Sequence, residues 1–448
     1  MNPASRPVLT EGAVGPHLRD MAMPMVWGLL ATMSFNAVDT LFVAQLGHTE
    51  LAAMSFTFPV VMVLTSIAIG LGAGTSSAVA RAIGSNNHHL AQRMATDSMT
   101  LTTVISVVMC AIGIFTINPL FTLLGAEPEL LPLIHDYMWI WYFSAPCLMV
   151  PMVGLASLRA MGLARIQGTL MMAAAVLNLI LDPILIFGLF GFPRLELEGA
   201  ALATLITRAM SLVVVIFVLD KRLSMLVNPF AKWDEVMVSW RAIVHVGVPA
   251  MVNNIIIPLA SGVVVYLVAA YGTVAVAGLG IAMRVEPIVL IVFYALSGVV
   301  GPFCGQNLGA KKFDRLDETL KVMTKFCLSF GLVLALFLWL AGEYLVRLFS
   351  DADAVVAIAM SYLLIVPISY GAYGLVMSVN AAFNGIGQPM PGVAISFLRV
   401  MGLYLPLAWL FQWQWGVTGL FVATALCNAL VGFIAWYWLK RRFQRVAA

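Results

Sequence analysis

Twelve stretches of this chain are long and apolar enough to cross a bilayer, and that narrows its possible folds more than anything else. A spanning helix needs about 20 apolar residues, because each residue rises only 1.5 Å through roughly 30 Å of hydrocarbon. The stretches run over 22–46, 52–80, 94–118, 131–158, 168–190, 199–219, 242–270, 278–304, 320–342, 356–383, 391–411 and 416–439. Lipid offers the backbone no hydrogen-bond partners, so each stretch is expected to close its own bonds as a helix. Of 448 residues, 62% are hydrophobic and only 10% charged, against about 25% charged in soluble domains. The expected fold class is therefore an all-α integral membrane protein with twelve transmembrane helices.

The longest polar break, DKRLSMLVNPFAKWDEVMVSWR at 220–241, divides the spans six and six. This predicts a cytoplasmic segment at 1–21, an N-lobe at 22–219, a cytoplasmic linker at 220–241, a C-lobe at 242–439 and a basic tail at 440–448. With a cytoplasmic N-terminus, the inside segments hold 19 of the 24 Lys and Arg. The outside loops hold only Arg194 and Arg347, and Arg208, Arg284 and Arg399 fall within spans. Cytoplasmic loops are the ones enriched in Lys and Arg, so both termini are expected inside a plasma (inner) membrane. Residues 1–20 hold Arg6 and Arg19 and no short apolar core before a cleavage site, so no cleaved leader is expected there. A net charge of +3 without a basic, aromatic-interleaved patch argues against a nucleic-acid partner. The five cysteines lie in apolar stretches without C-x-x-C spacing and read as small buried hydrophobes.

The two halves repeat. ARAIG (80–84) aligns with GQNLG (305–309) at an offset of 225, and LRAMGLARIQ (158–167) with FNGIGQPMPG (383–392) at the same offset. GAALATLITRAM (199–210) matches GLFVATALCNAL (419–430) at an offset of 220. Six spans separate the copies, so both share one orientation. That predicts two six-helix lobes related by an axis along the membrane normal, as in transporters built from parallel repeats.

Charge inside a span is costly, about 2.5–3.5 kcal/mol at a helix centre, and persists where it faces protein or water. Asp39, in SFNAVDTLFVAQLG, and Asp182, in AVLNLILDPI, are the deep acids of the first half. At 1.5 Å per residue Asp39 lies roughly 10 Å from the outer end of its span, Asp182 roughly 12 Å and Thr204 roughly 8 Å. One turn further in, Asn178 shares a helix face with Asp182, and Asn36 one with Asp39. Pro183 has no N–H, which frees the carbonyl of Leu179 beside that face. Two carboxylates, an amide oxygen, a hydroxyl and a free carbonyl form a hard-oxygen set suited to a proton or a small cation such as Na+. The alternative is a pair of polar contacts that fasten packed helices. An offset of 223 carries LDP (181–183) onto YLP (404–406), where Leu405 replaces Asp182 and Met401 replaces Asn178. The cation site is thus expected in the N-lobe alone.

These stretches, with GAALAT in the sixth span and RVEPI and GVVGPFCGQNLGAKK over 284–312, resemble the multidrug and toxic compound extrusion (MATE) transporters along the whole chain. Asp182 with Asn178 looks like the DinF-like branch. The resemblance implies cation-driven export of amphipathic, often cationic, organic compounds by alternating access between two lobes, with no cofactor beyond the coupling H+ or Na+. It maps a cation site onto Asp39, Asn178, Asp182, Thr204 and the backbone at Ala200, with Asn36 and Pro183 in support. LRAMG departs from the family at Ala160, where a second glycine is usual. The expected partners are drug-like molecules and the bilayer, and the chain is expected to act as a monomer.

Arg284 and Glu286 either line a polar cleft or form an intramembrane pair that fixes a lobe. Arg208, one turn from Thr204, either pairs with an N-lobe acid or holds the helix, and Arg399 is a cleft or packing residue. A flippase for a lipid-linked precursor is the alternative function, but it favours several clustered cations, and these three arginines lie at different depths. An intramembrane aspartyl protease needs a G-x-G-D stretch, whereas LIL precedes Asp182 and NAV precedes Asp39. The acidic, Arg-rich loop of major-facilitator transporters is missing from ARAIGSNNHHLAQR, where His88 and His89 read as a solvated turn.

Overall fold

A computed structural model describes residues 9–230 and 232–447. The first eight residues of the expected N-terminal segment, Arg6 among them, lie outside the described residues, as do Ala231 of the linker and Ala448 of the tail. Among the described residues, fifteen α-helices follow in chain order. The first seven are α1 (Val14–Ala44), α2 (His48–Gly84), α3 (His88–Leu123), α4 (Leu131–Phe143), α5 (Ala145–Ala160), α6 (Ala164–Phe187) and α7 (Glu196–Phe217). The rest are α8 (Trp233–Ala269), α9 (Thr273–Val289), α10 (Ile291–Gly309), α11 (Phe313–Arg347), α12 (Asp353–Ile365), α13 (Tyr370–Gly385), α14 (Met390–Phe397) and α15 (Leu405–Ala447).

Among the described residues, ten helical runs are long and apolar enough to cross a membrane, or eleven with α4 and α5 taken as one span bent by 40°. The last run, Met390–Val446, turns at Gly416 (φ 56°, ψ −133°), which makes it two spans and brings the count to twelve. Proline accounts for the broken spans, since it removes an N–H and clashes with the preceding turn. Pro146 sits beside the α4–α5 break, Pro287 in the turn before the α9–α10 break, and Pro367 in the 3-10 turn joining α12 to α13. Apolar side chains point outward all along the spans, such as Val104, Val107 and Phe115 on α3 and Leu332, Leu336 and Leu340 on α11. A helix apolar all round belongs in lipid.

The internal repeat is visible in the turns. Gly47 and Gly272, Asn86 and Lys311, Gly162 and Gly387, and Gly191 and Gly416 all have positive φ, and the members of each pair are 225 residues apart in the sequence. The same chain reversals recur at the offset predicted from the aligned motifs.

The chain divides into two compact units, one holding Pro24–Met251 and the other Leu9–Met23 with the residues from Val252 onward. In the first, Ala68, Val79, Leu101, Met149, Val153, Leu219 and Ile243 belong to one buried cluster. Val43, Ile117, Phe121, Trp141, Ile186 and Ala200 belong to another. The second unit buries Phe293, Phe303, Tyr370, Phe383 and Phe421 completely. All five cysteines are free; Cys304, Cys327 and Cys427 are buried and Cys110 and Cys147 half-buried.

Candidate cation site in the first unit

Three close contacts fix the helices that carry the acids. Gly28 of α1 meets α6 at Gly168, where a Cβ added to Gly168 would lie 2.2 Å from the Pro24 carbonyl oxygen. Small residues of this kind let membrane helices approach backbone to backbone. Beyond the acids, the rings of Phe42 and Phe187 meet edge to face with centroids 6.0 Å apart. Gly199 presses α7 onto the end of α6, because a Cβ there would lie 2.5 Å from the Leu185 carbonyl oxygen. Asp39 and Asp182 are therefore held on helices pinned on both sides of them.

Within this frame Asp182 is fully buried, and its Oδ1 accepts a 2.7 Å hydrogen bond from Asn178 Nδ2. The face shared by Asn178 and Asp182 is thus made, and Asn178 itself is buried. Asp182 Oδ2 and Asp39 Oδ1 are both buried without a hydrogen-bond partner. Leaving a buried acceptor unmade costs about 1–3 kcal/mol, more when it is charged. Each oxygen is an acceptor that the described residues leave unmet. The two carboxylates feel each other's charge, and Tyr137, buried on α4, feels both.

Arg208 of α7 supplies the nearby positive charge. It acts electrostatically on Asp39, yet among the described residues it forms no ion pair with either acid. Its guanidinium instead donates to Ser144 Oγ at 2.8 Å and lies over the Trp141 ring, 4.9 Å from the centroid. Ser144 stands at the α4–α5 break and donates in turn to the Trp141 carbonyl at 2.7 Å. Arg208 thus holds a helix junction and pairs with neither carboxylate among the described residues.

The other expected residues fall around this core. Ala200 is buried, Thr204 half-buried one turn before Arg208, and Pro183 half-buried within an unbroken α6. The Asn36 side chain is exposed on α1, and its carbonyl accepts from Thr40 Oγ1 at 2.9 Å. In the second unit Arg284 is exposed and Glu286 pairs elsewhere, its Oε2 accepting from the hydroxyls of Tyr362 and, at 3.4 Å, Tyr370. Arg399 lies over the Tyr373 ring, 4.1 Å from its centroid, and its carbonyl accepts from Cys427 Sγ at 3.1 Å. Glu286 and Arg399 thus belong to a tyrosine-lined network.

Sequence reasoning missed the partners of these groups: Tyr137 near the N-lobe acids, Trp141 and Ser144 at Arg208, Tyr362 and Tyr370 at Glu286, and Tyr373 at Arg399. Their spacing carried a signal. Tyr137, Trp141 and Ser144 follow one another at four and three residues, and Tyr370 and Tyr373 at three, so each set shares a helix face.

Known proteins match along the whole length. The MatE family model covers residues 24–184 and 249–410. An FAD transporter of Shewanella oneidensis is 39% identical over 98% of this chain and 97% of its own. The multidrug export protein MepA of Staphylococcus haemolyticus is 26% identical over 96% of this chain and 95% of its own. The crystal structure of the Vibrio cholerae MATE transporter VcmN in its bent form superposes with a TM-score of 0.91 at 32% identity, covering 96% of this chain and 97% of that one. Twelve spans in a parallel repeat, two buried acids on α1 and α6 and these matches lead to one conclusion: the chain belongs to the MATE family of membrane transporters and is not an enzyme.

Proposed function

We propose that this protein is a secondary antiporter that exports organic solutes in exchange for H+ or Na+, with Asp39 and Asp182 as the coupling site. The observation that carries the reading is the pair of buried, unpartnered carboxylate oxygens, Asp39 Oδ1 and Asp182 Oδ2. A proton or cation taken up by either oxygen satisfies that acceptor and offsets the repulsion between the acids. Its loss restores a charged site with unmet acceptors, so the two forms differ in free energy, as alternating access driven by an ion gradient requires. Between the ions the proton is favoured, since no feature of the site demands a larger one. The proposed location is the plasma membrane with both termini cytoplasmic, and the proposed working unit is the monomer.

For the exported compound the first reading is a broad set of amphipathic, often cationic, molecules, which MepA's multidrug name supports. A flavin dinucleotide is the second reading. It is favoured by the 39% identity to the FAD transporter, against 26% to MepA. Purified protein in proteoliposomes separates them, with ethidium and FAD as probes and a pH or sodium gradient imposed across the bilayer. Gradient-driven accumulation of ethidium supports the first reading and of FAD the second. Movement of either probe that ignores both gradients contradicts antiport.

A further inference from the structure

Two irregular segments are clasped in the same way, one in each unit. In the second unit, Arg315 at the start of α11 gathers the backbone of Leu9–Gly12. Its guanidinium donates to the carbonyls of Leu9 (3.0 Å), Glu11 (3.4 Å) and Gly12. Asn307 fixes that guanidinium, accepting from Nε at 2.8 Å, and Phe303 lies beneath it at 5.5 Å. Lys312 Nζ donates to the Thr10 carbonyl at 2.8 Å, and the Leu9 amide donates to Gln306 Oε1 at 3.3 Å.

In the first unit the start of α3 clasps Ser224–Asn228. Gln92 Nε2 donates to the Ser224 carbonyl at 2.7 Å, and Arg93 Nη1 to the Asn228 carbonyl at 2.9 Å. The Val227 amide donates to Thr96 Oγ1 at 3.0 Å. Arg93 is held for this task by a buried ion pair with Asp97, whose carbonyl also accepts from Trp240 Nε1 at 3.0 Å. Each segment turns through a residue in the left-handed region, Gly12 (φ 73°) or Ser224 (φ 50°).

Their places in the chain are matched. Leu9–Gly12 leads into α1, which begins in the second unit and continues from Pro24 in the first. Ser224–Asn228 leads into α8, which begins in the first unit and continues from Val252 in the second. Each clasp therefore fixes the start of a helix whose far part belongs to the other unit. A movement of either unit as a body must drag its clasped segment along or release it. The holding bonds go mostly to backbone carbonyls, which water at a membrane surface can satisfy in their place.

We infer that Leu9–Gly12 and Ser224–Asn228 are a matched pair of releasable straps, and that their release is a step of the transport cycle. The inference rests on the proposed antiport by alternating access. Thr10→Cys with Lys312→Cys, and Thr96→Cys with Val227→Cys, are made where the native cysteines are replaced. Each pair is then joined with a reducible bis-thiosulfonate reagent, and transport is read with ethidium and with FAD. The unaltered protein should transport, and failure of both probes there rejects the transport reading and not the straps. Joining either pair should abolish transport, and reduction should restore it. Full joining with an unchanged rate overturns the proposal, because the straps then stay docked throughout. Hydrogen exchange supplies an independent reading. The amides of Leu9 and Val227 should exchange several-fold faster when the transported probe is added under a gradient, and equal exchange overturns the proposal.

Discussion

At the residue scale the account turns on two oxygens without partners. Asp39→Asn and Asp182→Asn each keep a polar side chain of the same shape but remove the charge. Each should lower transport by roughly 10- to 100-fold, about what one lost hydrogen bond to a charged group costs. Membrane levels, read by immunoblot, should stay near normal, because neither acid is needed for helix insertion. Thr204→Ala should cost less, since a hydroxyl offers one neutral ligand, and Met401→Ala and Leu405→Ala in the second unit should cost less still. Damage from the Leu405 change equal to that from the Asp182 change contradicts a one-sided site. The acids were legible in the sequence because charge inside an apolar span stands out. Their aromatic neighbours were marked only by helical spacing, because tyrosine and tryptophan are ordinary in membrane helices. Arg208 was legible as a charge and not as a junction residue, since Ser144 lies 64 residues away in sequence.

At the scale of helices, small residues decide how close the acids come. Gly199 has no room for a side chain, as the Leu185 carbonyl shows. Gly199→Val should push α7 off α6 and destabilise the fold by about 1–3 kcal/mol, the usual cost of overpacking. Thermal unfolding in detergent reads this, and an unchanged midpoint contradicts the close approach. Spans and repeat were readable because hydropathy and turn glycines are local properties of sequence. The breaks at Ser144, Leu290 and Val366–Ser369 were not placed, although their prolines were in view. A proline inside a membrane span breaks some helices and leaves others intact, and α6 continues through Pro183 to Phe187.

At the scale of the whole molecule, the distribution of Lys and Arg carries the proposed orientation. Glu127→Cys and Asp351→Cys, both at exposed positions, should react with an impermeant maleimide added outside intact cells, and Lys232→Cys only in everted vesicles. Outside labelling at 232 reverses the topology. Fold and family could be read from the chain alone, whereas the transported compound could not, because a broad substrate surface leaves no motif behind. The central claim is that Asp39 and Asp182 couple an ion gradient to export. Transport by the Asp182→Asn protein in proteoliposomes tests it most directly, under a pH gradient without sodium, a sodium gradient at equal pH, and no gradient with substrate on both sides. The account predicts that the variant loses gradient-driven accumulation while still exchanging substrate for substrate. A variant that accumulates substrate as the unaltered protein does, under the gradient that drives it, contradicts the account.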